Sequence, residues 1–388
     1  MVDPFRRSAR IIVTCSKRLA PYLETEIAAL GYQPVRVFQT GVELHGSMDD
    51  CIVLNLSLRC ASQVLYSLGE LKARDPDGLY QGLTRLPWEE IISPDDYFSV
   101  TSNVSTSSVN NALFVNVRVK DAIADRIRNK TGRRPDSGAE LKGAVVHVYW
   151  RDHQAEVFID TSGETLAKHG YRKIPGKAPM LESLAAATIM ASQWDPQTPF
   201  INPMCGSGTL ATEAALLATN RKPGLYRAHY SFMHVNGYQP ERYHQLVASL
   251  KDQVKELPHL KIVATDISLD AIRIAKANAE SAGVAQYIHF EKCDFEKTPI
   301  PVGRKGVIFF NPEYGERLGE VKALERTYKR IGDFMKQKCQ GYTGCVFTGN
   351  PDLAKKIGLR PARRIEFYSA KIDCRLLRYE LYAGSRET

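Results

Sequence analysis

Residues 200–210 read Phe200-Ile201-Asn202-Pro203-Met204-Cys205-Gly206-Ser207-Gly208-Thr209-Leu210, and the fold turns on them. A short apolar run, a turn with two glycines and the helix formers from Thr209 to Ala218 give strand, glycine loop and helix in succession. Without side chains at such a turn, the backbone can approach a ligand closely while the first N–H groups of the helix point at its anionic end. Dinucleotide and S-adenosylmethionine sites share this physics; a tight turn with no ligand satisfies the same pattern.

The downstream sequence narrows the choice. Lys261 to Asp266 reads as a second strand ending in a carboxylate suited to accept from both ribose hydroxyls, with Ile267 beside it and a helix from Ser268 to Ala282. The 58 positions from Gly208 to Asp266 exceed the roughly 20 of a minimal dinucleotide unit. An insertion carrying a helix near Glu241 to Glu256 is therefore expected. A third strand from Ile288 ends at Asp294, placed to accept from an adenine amino group beside the Phe295 ring, although a helix cap would use the same residue.

The fourth strand is Gly306-Val-Ile-Phe-Phe310, followed by Asn311-Pro312-Glu313-Tyr314-Gly315-Glu316-Arg317. Open α/β sheets bind ligands at the carboxyl ends of their strands, where this polar turn sits. Methylation of an exocyclic amine needs acceptors that hold its hydrogens so that the lone pair faces the methyl group in line. The Asn311 side-chain carbonyl and the Pro312 backbone carbonyl can supply them, and Tyr314 can stack on a base swung out of its helix.

A long helix from Ala178 to Gln193 is expected before the first of these strands, and strands then alternate with helices to the end. That is an α/β, Rossmann-like, doubly wound and mostly parallel sheet. The polar, glycine-rich stretch Gly163 to Gly176 marks its upstream boundary. Ahead of it, the start of the chain reads as a small α+β unit: strand Arg10 to Thr14, helix Ala20 to Leu30 capped by Gly31, strands Val35 to Phe38 and Gly41 to Leu44, and helix Met48 to Leu58. From Trp88 onward follow a helical turn, an extended run Tyr97 to Ser102, a helix Asn111 to Arg128, and strands Ala144 to Trp150 and Ala155 to Asp160 around a turn. The expected division is 1–60, 61–165 and 166–388.

With 388 residues, 44% hydrophobic and 24% charged, the chain is long enough for two or three globular domains. Its longest apolar stretches, such as Ala144 to Trp150 and Leu184 to Ala191, fall short of the roughly 20 residues a bilayer crossing needs. The first ten residues lack the apolar core of a secretory signal, so a cytoplasmic protein is expected. Eight scattered cysteines form no C-x-x-C pair, suggesting neither a zinc or other metal site nor a redox motif. No long heptad or apolar stripe demands a partner, and a monomer is expected.

The net charge of +9 is uneven: 20 basic and 21 acidic side chains through Gly170, then 32 and 22. A basic surface suits a polyanion through phosphate contacts and steering. Within the neutral half, Ile123 to Arg134 carries five cations, Arg126, Arg128, Lys130, Arg133 and Arg134, against the single anion Asp125. They mark either a nucleic-acid contact or a solvated helix end whose cations favour the dipole.

Taken together, the sequence resembles the THUMP-domain class I methyltransferases, most closely the bacterial 23S rRNA guanine-N2 methyltransferase family. The resemblance rests on Trp88 to Arg134 and Val145 to Asp160 as THUMP, on His169-Gly-Tyr-Arg-Lys-Ile-Pro-Gly-Lys-Ala-Pro-Met-Leu-Glu-Ser-Leu-Ala185, on Asn202 to Thr209, and on Asn311 to Gly319. It implies a ferredoxin-like plus THUMP module that grips structured RNA, and a pocket that binds S-adenosylmethionine and converts a guanine to N2-methylguanosine. In that mapping Asn311, Pro312 and Tyr314 are catalytic; Asn202, Pro203, Cys205, Gly206, Gly208, Thr209, Asp266, Ile267, Asp294 and Phe295 hold the cofactor; Pro179, Glu182 and Ser183 flank its methionine end. Arg126, Lys130, Arg133 and Arg134 become RNA-backbone contacts.

Two positions depart from the family pattern. Asn202 stands where a leading Asp is usual, removing a charge near the cofactor ammonium, and Glu313 replaces a second proline, with a solvent-facing side chain the preferred reading. A tRNA guanine-N2 methylase would carry the same modules. An adenine-N6 DNA methylase would share Asn311 to Tyr314 without the THUMP-like half, and a catalytically weak RNA-binding or assembly factor would keep both modules and lose turnover. An NAD-dependent oxidoreductase leaves Asn311 to Tyr314 unexplained.

Overall fold

A computed structural model describes residues 4–109, 111–176, 179–315 and 318–382, leaving aside the side chains of 318–321. The chain divides into two compact units. One comprises Met1–Cys15, Leu23–Leu166 and Arg227–Ser249; the other comprises Ser16–Tyr22, Ala167–Tyr226 and Leu250–Thr388.

The first unit contains β1 (Ala9–Thr14), most of α1 (Ala20–Ala29), β2 (Arg36–Phe38), β3 (Gly41–Gly46), α2 (Met48–Ser57) and β4 (Gln63–Lys72). There follow α3 (Pro76–Leu83), α4 (Trp88–Ile91), β5 (Tyr97–Ser105), α5 (Ala112–Thr131), β6 (Asp136–Gly138), β7 (Ala144–Arg151) and β8 (Gln154–Asp160). Its eight strands form one sheet in the order β2-β3-β1-β4-β8-β7-β5-β6. Ser47 and Asp50 close a capping box on α2, satisfying two of the helix's free N–H groups reciprocally. The left-handed Gly132, at φ 76°, stops α5.

In this unit the sequence patterns leave β4, α3 and the short β6 unassigned. β4 pairs with β1 on one side and β8 on the other, so the two halves of this unit share one continuous sheet. Its register shifts between Ser67 and Gly69, which breaks the alternation by which a strand is read. Trp88 and Trp150, both fully buried, anchor the core and donate their indole N–H groups to the Leu83 and Ala73 carbonyls.

The expected insertion after Gly208 exists, and much of it belongs to the first unit. The Val145 amide donates to Ser231 Oγ at 2.7 Å, the Phe232 amide to the Thr161 carbonyl at 3.1 Å, and the Asn236 amide to the Ile91 carbonyl at 2.9 Å. Its helix, α8, covers Pro240–Asp252.

The second unit holds α6 (Glu182–Ser192), β9 (Phe200–Pro203), α7 (Thr209–Ala218), β10 (Ile262–Asp266), α9 (Leu269–Ser281), β11 (Ile288–Lys292) and β12 (Val307–Phe310). It ends with α10 (Leu318–Lys338), β13 (Thr343–Thr348), α11 (Pro351–Lys356), β14 (Arg363–Ser369) and β15 (Ile372–Glu380). The sheet order is β11-β10-β9-β12-β13-β15-β14. β9 to β13 run parallel, and β15 and β14 close the edge antiparallel. The fold is thus the expected α/β, mostly parallel sheet, but it ends in a hairpin and not in a further strand–helix alternation.

α6 begins at Glu182, later than the expected Ala178, which lies outside the described residues together with Lys177. The reason is Pro179 and an extended Leu181 at the cap, with ψ 140°. Behind the sheet, Phe295, Phe310 and Phe334 meet edge to face at centroid distances of 6.0 to 6.3 Å within an apolar cluster that also holds Tyr328, Ile331 and Met335. Such aromatic pairs contribute about 0.5–1.5 kcal/mol each beyond their buried area.

Candidate active site

The switch in strand order falls at β9, between β10 and β12, and the carboxyl ends of these three strands carry the glycine loop, Asp266 and Asn311. The two glycines do different work. At Gly208, φ 77°, an added Cβ would lie 2.7 Å from the Ala275 Cβ, so this glycine lets α7 pack on α9. At Gly206, φ 55°, an added Cβ would meet nothing within 4 Å, leaving that backbone face open.

Asp266 is tied to the loop: Oδ2 accepts from the Gly206 amide at 3.0 Å and Oδ1 from the Ser268 amide at 2.9 Å. A carboxylate has about four acceptor positions, so two remain for a diol. Beside it Ile267 is 69% exposed, an apolar side chain held out at the strand end. Cys205 is buried and its amide pairs with the Thr265 carbonyl at 2.9 Å, so its part in the loop is played by backbone. Pro203 is buried at the end of β9.

Asn202 is 1% exposed and donates through Nδ2 to the Phe309 carbonyl at 3.0 Å, while its Oδ1 has no hydrogen-bond partner. Asparagine suits this position because a carboxylate would face a carbonyl oxygen there. Glu182 Oε2 and Ser183 Oγ are likewise buried without hydrogen bonds. Burial pushes the Glu182 carboxyl up from its ordinary value, against the nearby Arg172 guanidinium at 3.5 Å. Arg172 also donates to the Met180 carbonyl at 2.6 Å and to Thr209 Oγ1 at 2.9 Å. Pro179 is half-buried just before α6.

Buried polar atoms without partners are costly and few in folded proteins. Asn202 Oδ1 and Ser183 Oγ, both left without a hydrogen bond, fit a ligand that brings donors, as an α-amino acid group does.

Phe295 and Asp294 are both engaged with the protein's own groups. The Phe295 ring is 7% exposed in the apolar cluster and covered on one side by the Arg330 guanidinium at 4.8 Å, so its ring packs as part of the core. Asp294 does cap the next turn, accepting from the Glu296 amide at 3.0 Å, and both its oxygens accept from Arg330 at 2.9 Å. Burial raises its carboxyl, but the Arg330 hydrogen bond and the cap outweigh this and leave it below the usual carboxylate range. Its adenine role would have to share these bonds.

At the end of β12, Asn311 is half-buried and makes no side-chain hydrogen bond among the described residues. Pro312 is buried, Glu313 is exposed, and Tyr314 packs against the apolar cluster while its carbonyl accepts from Asn350 Nδ2 at 3.2 Å. Glu316 and Arg317 of the quoted turn lie outside the described residues.

Sequence reading missed three supports of this site. His169 Nδ1 meets Glu213 Oε1 at 2.7 Å with both side chains fully buried. Asn278 donates to the Ser207 and Ile174 carbonyls at 3.2 and 3.0 Å and accepts from the Lys173 and Ile174 amides, clamping that segment to the glycine loop. Arg330 is the third. A signal existed for Asn278, a polar residue on the apolar face that Ile272, Ala275 and Ala279 mark on α9.

In the first unit the four cations assigned to RNA are mostly committed. Arg126 is bidentate to Glu89 at 2.9 and 2.6 Å, Arg133 pairs with Asp95 at 2.5 Å, and Arg134 pairs with Asp125 and Asp121 at 3.0 and 3.3 Å. Among the described residues Lys130 lies in no ion pair.

Comparison with known proteins places these features. A model of an RlmL ferredoxin-like domain matches residues 10–65 and a THUMP domain model matches 73–160. The chain is 33% identical over 383 residues to the ribosomal RNA large subunit methyltransferase K/L of Syntrophotalea carbinolica, covering 96% of this chain and 53% of that protein. A second protein of that name, from Methylococcus capsulatus, is 33% identical over 95% of this chain and 50% of its own length. The chain thus spans about half the length of the curated relatives it matches. Among solved structures, SMU.472, crystallised with SAH, superposes with a TM-score of 0.87 at 25% identity, covering 98% of this chain and all of that one. A predicted N6-adenine-specific DNA methylase from Listeria monocytogenes gives 0.86 at 29% identity, covering 97% of each chain. A model of the RMKL-like methyltransferase domain matches residues 169–378, more than half of the sequence, and the chain belongs to that methyltransferase family.

Proposed function

We propose that this protein uses S-adenosylmethionine to methylate the exocyclic N2 amine of a guanine in large-subunit ribosomal RNA. The observation that carries the reading is the alignment of three strand ends on one sheet edge, with the open Gly206 and Asp266, the unpartnered Asn202 Oδ1, and Asn311, whose side chain makes no hydrogen bond among the described residues, beside Tyr314. The THUMP match and the names of the relatives support an RNA substrate.

When bound, the cofactor supplies an electrophilic methyl group on a sulfonium. The chain's own residues bind and orient. Asp266 accepts from the ribose, Ile267 covers an adenine face, and Asn202 and Ser183 take donors from the methionine end. Asn311 Oδ1 and the Pro312 carbonyl accept the amine's two hydrogens, turning its lone pair toward the methyl group, and Tyr314 stacks on the extruded base. The exposed Glu313 faces solvent, to which the methylated amine loses its proton.

Labelled S-adenosylmethionine incubated with rRNA, tRNA and DNA, followed by nucleoside analysis, tests this. N2-methylguanosine in rRNA is expected. The same nucleoside only in tRNA changes the substrate, methyladenine in DNA overturns the guanine assignment, and absence of label despite cofactor binding leaves an RNA-binding factor.

A further inference from the structure

The charge excess of the C-terminal half has a location. From Lys355 to Arg364 there are five cations, Lys355, Lys356, Arg360, Arg363 and Arg364, and no anion. Lys355 pairs with Asp352 at 2.8 Å and Lys356 with Glu325 at 3.1 Å. Arg360, Arg363 and Arg364 are exposed, and among the described residues no ion pair engages them. This inverts the situation in the THUMP region, where three of the four assigned cations already have carboxylate partners.

Arg360 and Arg364 border a cavity, with Arg363 next to Arg364 in the chain. It occupies about 790 Å³ where the end of β13, α11 and the β14–β15 hairpin meet, with Leu359, Ile372 and Leu377 as apolar lining and Arg360 and Arg364 among its cations. That volume is in the range of sites for small organic ligands. The same lining includes Gly349, where an added Cβ would lie 3.2 Å from Tyr314 Cε2. The ring assigned to stack the target base therefore lies against backbone that forms the cavity wall.

We infer that this cavity is a subsite for the RNA strand flanking the target guanine, taking one unstacked base on its apolar lining while Arg360, Arg363 and Arg364 hold the adjoining phosphates. The inference rests on the proposed RNA reaction. Single-stranded segments are bound in this way, by apolar or aromatic surfaces for bases and a cationic groove for the backbone. An uncommitted arginine is a better phosphate ligand than a paired one because no protein carboxylate has to be displaced.

The test is the triple variant Arg360→Ala, Arg363→Ala, Arg364→Ala, with Lys276→Ala on α9 and Lys329→Ala, Lys338→Ala on α10 as a charge-matched control. Affinity for a fluorescent RNA hairpin with an unpaired guanine is measured across potassium chloride concentrations, alongside S-adenosylmethionine affinity and methyl transfer. The triple variant should bind RNA about tenfold or more weakly, with the log–log salt slope reduced by about two to three, and with cofactor affinity unchanged. The control should keep wild-type RNA affinity. Equal loss in the control, or unchanged affinity and slope in the triple variant, overturns the subsite. Should the wild type methylate no RNA, the functional reading fails, while RNA affinity of the triple variant still decides the subsite: its loss supports it and its retention removes it.

Discussion

Asn202 Nδ2 donates to the Phe309 carbonyl at 3.0 Å, which fastens the strand leading to the glycine loop to the strand leading to Asn311. Asn202→Asp should therefore destabilise the protein, because a carboxylate at 1% exposure would face a carbonyl oxygen. The expected loss is about 1–3 kcal/mol at neutral pH. It should shrink as pH falls and the new carboxyl protonates, since only its charged form is penalised. Urea unfolding at pH 5 and pH 8 measures this; equal loss at both would mean the site is wetter than its burial implies.

The two loop glycines should respond oppositely to alanine. Gly208→Ala meets Ala275 at 2.7 Å and should lower stability by about 2 kcal/mol or more. Gly206→Ala has free space and should cost about 1 kcal/mol for its positive φ, while reducing cofactor affinity by filling the open face. Thermal melting with and without S-adenosylmethionine separates the two effects.

Asp266→Ala removes the partner of the Gly206 and Ser268 amides as well as the proposed ribose acceptor. Cofactor affinity should fall about 10- to 100-fold, the range for a charged hydrogen bond. Wild-type affinity by calorimetry would remove Asp266 from the site.

Asn311→Ala should leave cofactor affinity within about twofold and reduce turnover about 100-fold or more, as loss of a preorganised acceptor does. Full turnover on RNA would end the proposed acceptor role.

His147 in β7 is 6% exposed, its Nδ1 meets Thr101 Oγ1 at 2.8 Å, and burial pushes its pKa down from 6.5 to about 4. The unfolded chain binds the proton first, so the neutral ring's contribution is intact above about pH 6.5 and is lost as pH falls toward 4. Relative to His147→Gln, the wild type should lose up to about 3 kcal/mol across that window. Parallel stability curves would place the ring in contact with water.

The strand ends, the glycine loop, Asp266 and the Asn311 turn were legible because each combines a short apolar run with a polar or glycine stop, a local signal. What escaped depends on partners far along the chain. Nothing near Arg126 announces that Glu89 will bind it, and nothing near Asp294 announces Arg330. Phe295 lies three residues past the end of β11, and its ring turns inward because Phe310 and Phe334 offer a dry surface there. β4 was hidden by its own bulge.

The excursion at residues 227–249 also bears on how the protein is made. A ribosome releases the chain from its N-terminus, and the first unit lacks its last piece until Ser249 has emerged, well after β9 and α7 of the second. The second unit in turn incorporates Ser16–Tyr22 from near the start. Neither unit can be finished during synthesis before the other has begun, and a fragment ending at Leu166 would leave the Val145 amide and the Thr161 and Ile91 carbonyls without the partners that the excursion supplies.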